Sequence, residues 1–106
     1  MTASPVTLLV QLFLHPGRRA DFEAYEARAV VAMARYGGRI ARRLGGMAAE
    51  GVPDEIHVVT FPDRAAFDRY RADPDVNALS EMRALAIRRT VIWDVDDLPP
   101  FAAAVA

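Results

Sequence analysis

The stretch Tyr36-Gly37-Gly38-Arg39 divides the chain into two kinds of pattern. Before it, apolar residues recur at helical spacing; after it, a short segment from Arg39 to Leu44 reads as a strand. Two adjacent glycines free the backbone for left-handed or closely packed conformations. A helix can therefore stop at Tyr36 and the chain can turn back at once. A reversal there imposes a strand–helix–strand order, and that order limits the fold of these 106 residues more than any other feature.

Upstream of the turn, Val6 to His15 is a strand bounded by Pro5 and Pro16-Gly17. One parity, Val6, Leu8, Val10, Leu12 and Leu14, is wholly apolar; the other, Thr7, Leu9, Gln11, Phe13 and His15, is mixed. Helices are expected on the apolar side and a less dry partner on the other. Arg18 to Tyr36 is a helix with Phe22, Tyr25, Ala29, Met33 and Tyr36 on one stripe. Arg19 and Glu23, four apart, can pair on its surface.

Downstream, Arg39 to Leu44 is a basic second strand closed by Gly45-Gly46, and a loop follows to Asp54. Glu55 to Phe61 is the third strand, with Glu55, His57, Val59 and Phe61 on a mixed parity. Asp63 is the expected N-cap of a second helix, which Asp73-Pro74-Asp75 interrupts. Val76, Leu79, Met82 and Leu85 or Ala86 continue an apolar stripe. Arg88 to Val95 is the last strand, Asp96-Asp97 stops it, and residues 96–106 form a tail.

The order strand, helix, strand, strand, helix, strand is two split βαβ units. Right-handed crossovers then give a four-stranded antiparallel sheet in the order 4-1-3-2, with both helices on one face. The expectation is a single ferredoxin-like α+β domain with its core in residues 6–95. Strands 1 and 3 are expected to lie side by side and to run parallel. The helix-free face has no cover in a chain of this length, so a homodimer joined through that face is expected.

Composition removes several function classes. A formal net charge of -1, with basic residues interleaved with acids, argues against nucleic acid. All basic side chains are arginine. No cysteine is present, which excludes disulfides, thiolate catalysis and Cys-ligated metals. The opening Met1-Thr2-Ala3-Ser4-Pro5 lacks a signal pattern, and the apolar run Val6–Leu14 is far shorter than the roughly 20 residues of a membrane helix. A cytoplasmic protein without membrane contact is expected.

The succession Arg-Tyr-Gly-Gly-Arg at 35–39, Phe61-Pro62-Asp63, Tyr70 with Asp73-Pro74, and Arg83 resembles the dimeric α/β-barrel superfamily. It looks most like the small stand-alone proteins of unknown function with a Gly-Gly-Arg turn. His15-Pro16-Gly17-Arg18 with Phe22 and Tyr25-Glu26 is also similar to the NIPSNAP and antibiotic-biosynthesis monooxygenase branches. The resemblance covers residues 6–95 and implies dimers whose two sheets close a barrel. It also implies a range of activities, from cofactor-free oxygenases and isomerases to haem proteins and sensors, so fold alone does not fix function.

The candidate chemistry is sparse. His15 and His57 are placed at opposite ends of the sheet by the parallel arrangement, so no shared metal is expected. His57 can act as a general base or as a hydrogen-bonded interface histidine. Arg43 and Arg39 share a parity; Arg43 is expected near Glu55 or His57, and Arg39 near His15. Either can clamp an oxyanion or serve as a structural ion pair. Tyr36 beside Arg39, with Tyr25, Tyr70 and Trp93, can line a pocket between sheet and helices or simply pack the core. Gln11 and Trp93 join Tyr36 and Arg39 as candidate ligand contacts. Asp94, Asp96 and Asp97 read as a solvated strand end rather than a cation loop. Two functions fit: a cofactor-independent oxygenase or isomerase acting on a small carbonyl-bearing or phenolic metabolite, with His57 and Arg43 catalytic, or a non-catalytic ligand-binding or dimerisation module.

Overall fold

In the computed structural model, which describes residues 4–103, the elements follow in the order β1 (Val6–Leu14), α1 (Arg19–Ala34), β2 (Arg39–Gly45), β3 (Glu55–Phe61), α2 (Arg64–Ala72), α3 (Pro74–Asn77), α4 (Ser80–Ala86) and β4 (Ile87–Val95). The strands form one antiparallel sheet in the order β2-β3-β1-β4, which is the expected 4-1-3-2 arrangement read from the other edge. The helices lie on one face. No helix among the described residues is long and apolar enough to cross a membrane.

Local chemistry sets the element ends. The Gly37 and Gly38 amides donate to the Ala34 and Met33 carbonyls at 3.0 Å and close α1. Gly37 has φ +73°, in the left-handed region. Gly38 has no room for a side chain, since a Cβ there would lie 2.4 Å from the Phe61 ring. Asp63 caps α2 by accepting from the Ala66 amide at 2.7 Å. Asp73 ends α2 and caps α3, accepting from the Asp75 amide at 2.7 Å, with Pro74 in the first turn. A second break at Ala78-Leu79 separates α3 from α4. The continuous stripe from Val76 to Met82 conceals it.

Three expectations are overturned. β1 and β3 run antiparallel, from Val6 opposite Phe61 to Leu12 opposite Glu55. In a split βαβ unit the parallel partners are β1 and β2, and β3 is inserted between them in the reverse sense. His57 therefore sits opposite Val10, and His15 lies just beyond the end of β1 that Glu55 marks. Next, the β2–β3 register shifts between Ile40 and Arg42, leaving Ala41 without a partner. This bulge turns Arg39 to the helix-free face opposite Thr60, whereas Arg43 lies opposite His57 on the helix face. Because Thr60 pairs with Thr7, Arg39 is at the start of β1 and not near His15. Finally, the mixed parity of β3 is the covered one: Glu55, His57, Val59 and Phe61 are all buried.

The core is divided. One cluster gathers Leu12, Leu14, Phe22, Tyr25, Ala29, Ala86 and Ile87. The other gathers Leu8, Met33, Val59, Phe61, Ala66 and Phe67. Val10 is only half-buried and touches both. Its row across the sheet, His57–Val10–Ile92, is where the helices leave space.

Candidate functional site

That space is a cavity of about 480 Å³ between the sheet and the four helices. Its floor is apolar, with Leu8, Val10, Leu12 and Val59. Its polar groups come from every helix near it: Tyr25 and Glu26 from α1, Tyr70 from α2, Asn77 from α3, Ser80 and Arg83 from α4. An apolar chamber with a few converging polar groups is the usual form of a small-molecule site, and this volume falls within the usual range of about 300–1,000 Å³. The breaks around α3 create it, because short segments cannot cover the middle of the sheet as one long helix would.

His57 forms part of its wall and is 3% exposed. Its Nε2 lies 2.9 Å from Oε1 of Glu55, two residues earlier on the same strand face. Glu55 is itself buried and accepts hydrogen bonds from Arg19 of α1 and Arg43 of β2. Burial opposes ionisation of this carboxyl, but bonds from Arg43, His57 and Arg19 outweigh it and bring its pKa to about 2. An ionised carboxylate only accepts, so Nε2 donates in this hydrogen bond and Nδ1 is the ring nitrogen that Glu55 leaves free. Among the described residues Nδ1 has no hydrogen-bond partner, yet no occluded polar side-chain atom is unpaired. Nδ1 therefore keeps some accessible surface.

The other polar groups differ in charge tendency. Burial pushes the Glu26 carboxyl above its ordinary range, with nearby His57 pulling the other way. Burial likewise raises the Tyr25 and Tyr70 hydroxyls, with Arg83 offsetting part of the effect. Arg83 donates to the Thr90 hydroxyl on β4 and holds a positive charge at the wall opposite β3. The assembly can hold a mostly apolar molecule and place one polar atom of it against Arg83 and another beside His57.

The residues singled out from sequence fall in different places. His57 is at the cavity. Arg43 pairs with Glu55 and with Glu23 (2.9 Å), so it braces His57 from behind rather than facing the chamber. Tyr36 donates to Asp73 and ties the α1–β2 turn to the α2–α3 junction, away from Arg39. Gln11 and Trp93 meet on the helix-free face, where Trp93 Nε1 donates to Gln11 at 3.3 Å. Of the four aromatics considered for a pocket, Tyr25 and Tyr70 line it and Tyr36 and Trp93 do not. Asp94 pairs with Arg64, and the described residues contain no cluster suited to a metal ion. Sequence reasoning passed over Glu26, Arg83, Asn77 and Ser80. Arg83 and Glu26 were visible only within the motifs that suggested the superfamily, and nothing marked Asn77 or Ser80.

The fold is shared with solved structures. A protein of unknown function from Rhodopseudomonas palustris superposes with TM-score 0.78 at 18% identity, covering 91% of this chain and 84% of that one. SnoaB, a cofactor-independent oxygenase from Streptomyces nogalater, gives 0.66 at 21%, covering 93% and 100%. A dabb family protein with a ferredoxin-like fold from Mesorhizobium loti gives 0.64 at 18%, covering 90% and 98%. At such identities the likeness shows the fold alone, and that fold is ferredoxin-like. No curated protein matches the sequence. The sequence profile of a domain of unknown function, DUF1330, matches residues 9–94, and the chain belongs to that family.

Proposed function

We propose that this protein is a cofactor-independent enzyme of the oxygenase or isomerase type. It deprotonates a small carbonyl-bearing or phenolic metabolite held in the cavity between sheet and helices. The observation that carries the reading is the buried Glu55–His57 pair. A carboxylate fixed by two arginines orients an imidazole that lines the cavity. Such an orienting acceptor is the usual support of a general base. His57 takes the substrate proton, and Arg83, in place of the expected Arg43, stabilises the oxyanion that results. Both reaction types begin with this step: an isomerase returns the proton elsewhere, and an oxygenase passes the electron-rich carbon to dioxygen. The similarity of fold to a cofactor-independent oxygenase supports the choice.

The test is deuterium exchange of phenols, keto acids and quinones in heavy water, followed by NMR, together with thermal-shift binding. At least one compound should bind and exchange faster than in buffer, and His57→Ala should abolish the exchange. If no compound in the panel is bound or exchanged, the reading falls. A second reading, a ligand-binding module without chemistry, is favoured by the saturation of Glu55, which makes His57 part of a structural ion cluster. It predicts ligands that bind, never exchange, and survive His57→Ala. We infer in addition a homodimer joined through the helix-free face, and place the protein in the cytoplasm.

A further inference from the structure

His57 borders two cavities. The second, about 220 Å³, opens between α1 and β2 and is lined by Glu23, Glu26, Ala27, Val30, Ile40 and Arg43 together with His57. His57, Glu26 and Ile40 belong to both walls. We propose that the α1–β2 cavity is a water and proton port to His57, separate from the chamber that holds the organic ligand. The proposal rests on His57 acting as the base.

The two openings differ in size and in what rims them. The port is rimmed by the Arg43–Glu23 ion pair, whose side chains are about half exposed. A charged, hydrated rim suits water and disfavours an apolar solute. The larger chamber, at about 480 Å³, has room for a small organic ligand, with an apolar floor and polar groups on its walls. A base that has taken a proton must pass it on before the next turnover. When a ligand fills the larger chamber, the port still joins His57 to solvent. The proton leaves the imidazolium for water in the port, the ring returns to neutral, and no other bond changes. Glu26 stands at the junction of the two cavities, where its carboxyl can accept the same proton and release it to the port.

The measurement is deuterium uptake at the carbon between the ring nitrogens of histidine, read by mass spectrometry of the two histidine-containing peptides. Ala27 and Val30 lie on the exposed side of α1, so larger residues there can fill the port without entering the core. Ala27→Phe, and independently Val30→Phe, should slow uptake at His57 at least threefold. His15, which is exposed, should be unchanged and serves as the internal control. Ser80→Trp, which obstructs the larger chamber, should leave the His57 rate within twofold. The port is overturned if both α1 variants leave the rate unaltered, or if Ser80→Trp slows it equally. Uptake by the ring needs no substrate. An absence of substrate deprotonation would thus sink the enzyme reading while leaving this measurement decisive for the port.

Discussion

Glu55 is the residue on which the site depends. It is buried and bonded to Arg19, Arg43 and His57, from three elements, and its pKa is held at about 2 against an ordinary 4.5. A carboxyl depressed in the folded state adds stability that is fully present above its unfolded value and is lost as pH falls through the folded one. The window is therefore pH 4.5 down to about 2, and the shift corresponds to roughly 3 kcal/mol. Urea denaturation across that window should show wild-type stability falling, and Glu55→Gln falling less by about that amount. At neutral pH the same substitution should cost about 2 kcal/mol, below the usual penalty for a broken buried pair, because both arginines are half exposed. If Glu55→Gln instead tracks the wild type through acid, the three bonds contribute nothing. Arg83 makes a different prediction. Its guanidinium meets the hydroxyls of Thr90 and Tyr25 and bonds no carboxylate among the described residues, so Arg83→Met should move stability little. It should weaken binding of an anionic or enolisable ligand at least tenfold by calorimetry, a charge-assisted hydrogen bond being worth about 1.5–3 kcal/mol.

At the scale of elements, the α1–β2 turn is set by packing as much as by dihedral freedom. Gly38 touches the Phe61 ring and Met33, and a Cβ would lie 2.4 and 2.6 Å from them. Gly38→Ala should cost about 1–3 kcal/mol as an overpacking substitution, seen as a lower denaturation midpoint with an unchanged slope. A cost near zero would mean that Phe61 yields freely. This turn was legible in the sequence because two glycines have few other uses, and the strand–helix order followed from it. The direction of β3 was not read correctly, although the split βαβ order dictates it. The bulge at Ala41 was hidden because Arg39-Ile40-Ala41-Arg42-Arg43 has no apolar alternation from which to detect an inserted residue. His57 could be nominated from its type. Its pairing with Glu55 was implicit in their spacing of two, which puts both on one face. Reading the mixed face as the outer one concealed that both lie beneath the helices. The chamber itself was not legible, since it arises from a helix break at Ala78-Leu79 that leaves the stripe intact.

The whole molecule is two layers and no more. Its extents are 52 × 42 × 18 Å, and its radius of gyration is 15.6 Å, above the about 13 Å of a compact chain of this length. In the tail, Leu98 and Phe101 are exposed. The thin dimension reflects a sheet covered on one side. Across the uncovered side run the rows Val58–Leu9–Trp93 and Ile56–Gln11–Val91, apolar but for Gln11, with Arg39 and Arg42 on the β2 edge. Phe13 on the same side is buried, with the guanidinium groups of Arg88 and Arg89 over its ring. A face of this composition is stable in water when it meets another sheet, and a second copy supplies one with matching chemistry. Trp93 is the sole tryptophan and stands 55% exposed in the single chain, so it reports the event directly. Light scattering at micromolar concentration should give twice the chain mass, with blue-shifted Trp93 emission that moves to the red on dilution. Leu9→Arg places a charge at the centre of the face and should yield a folded monomer with red-shifted emission at all concentrations. A wild-type protein that is monomeric and red-emitting throughout would mean that the face is left to water and that something other than a second copy keeps the sheet soluble.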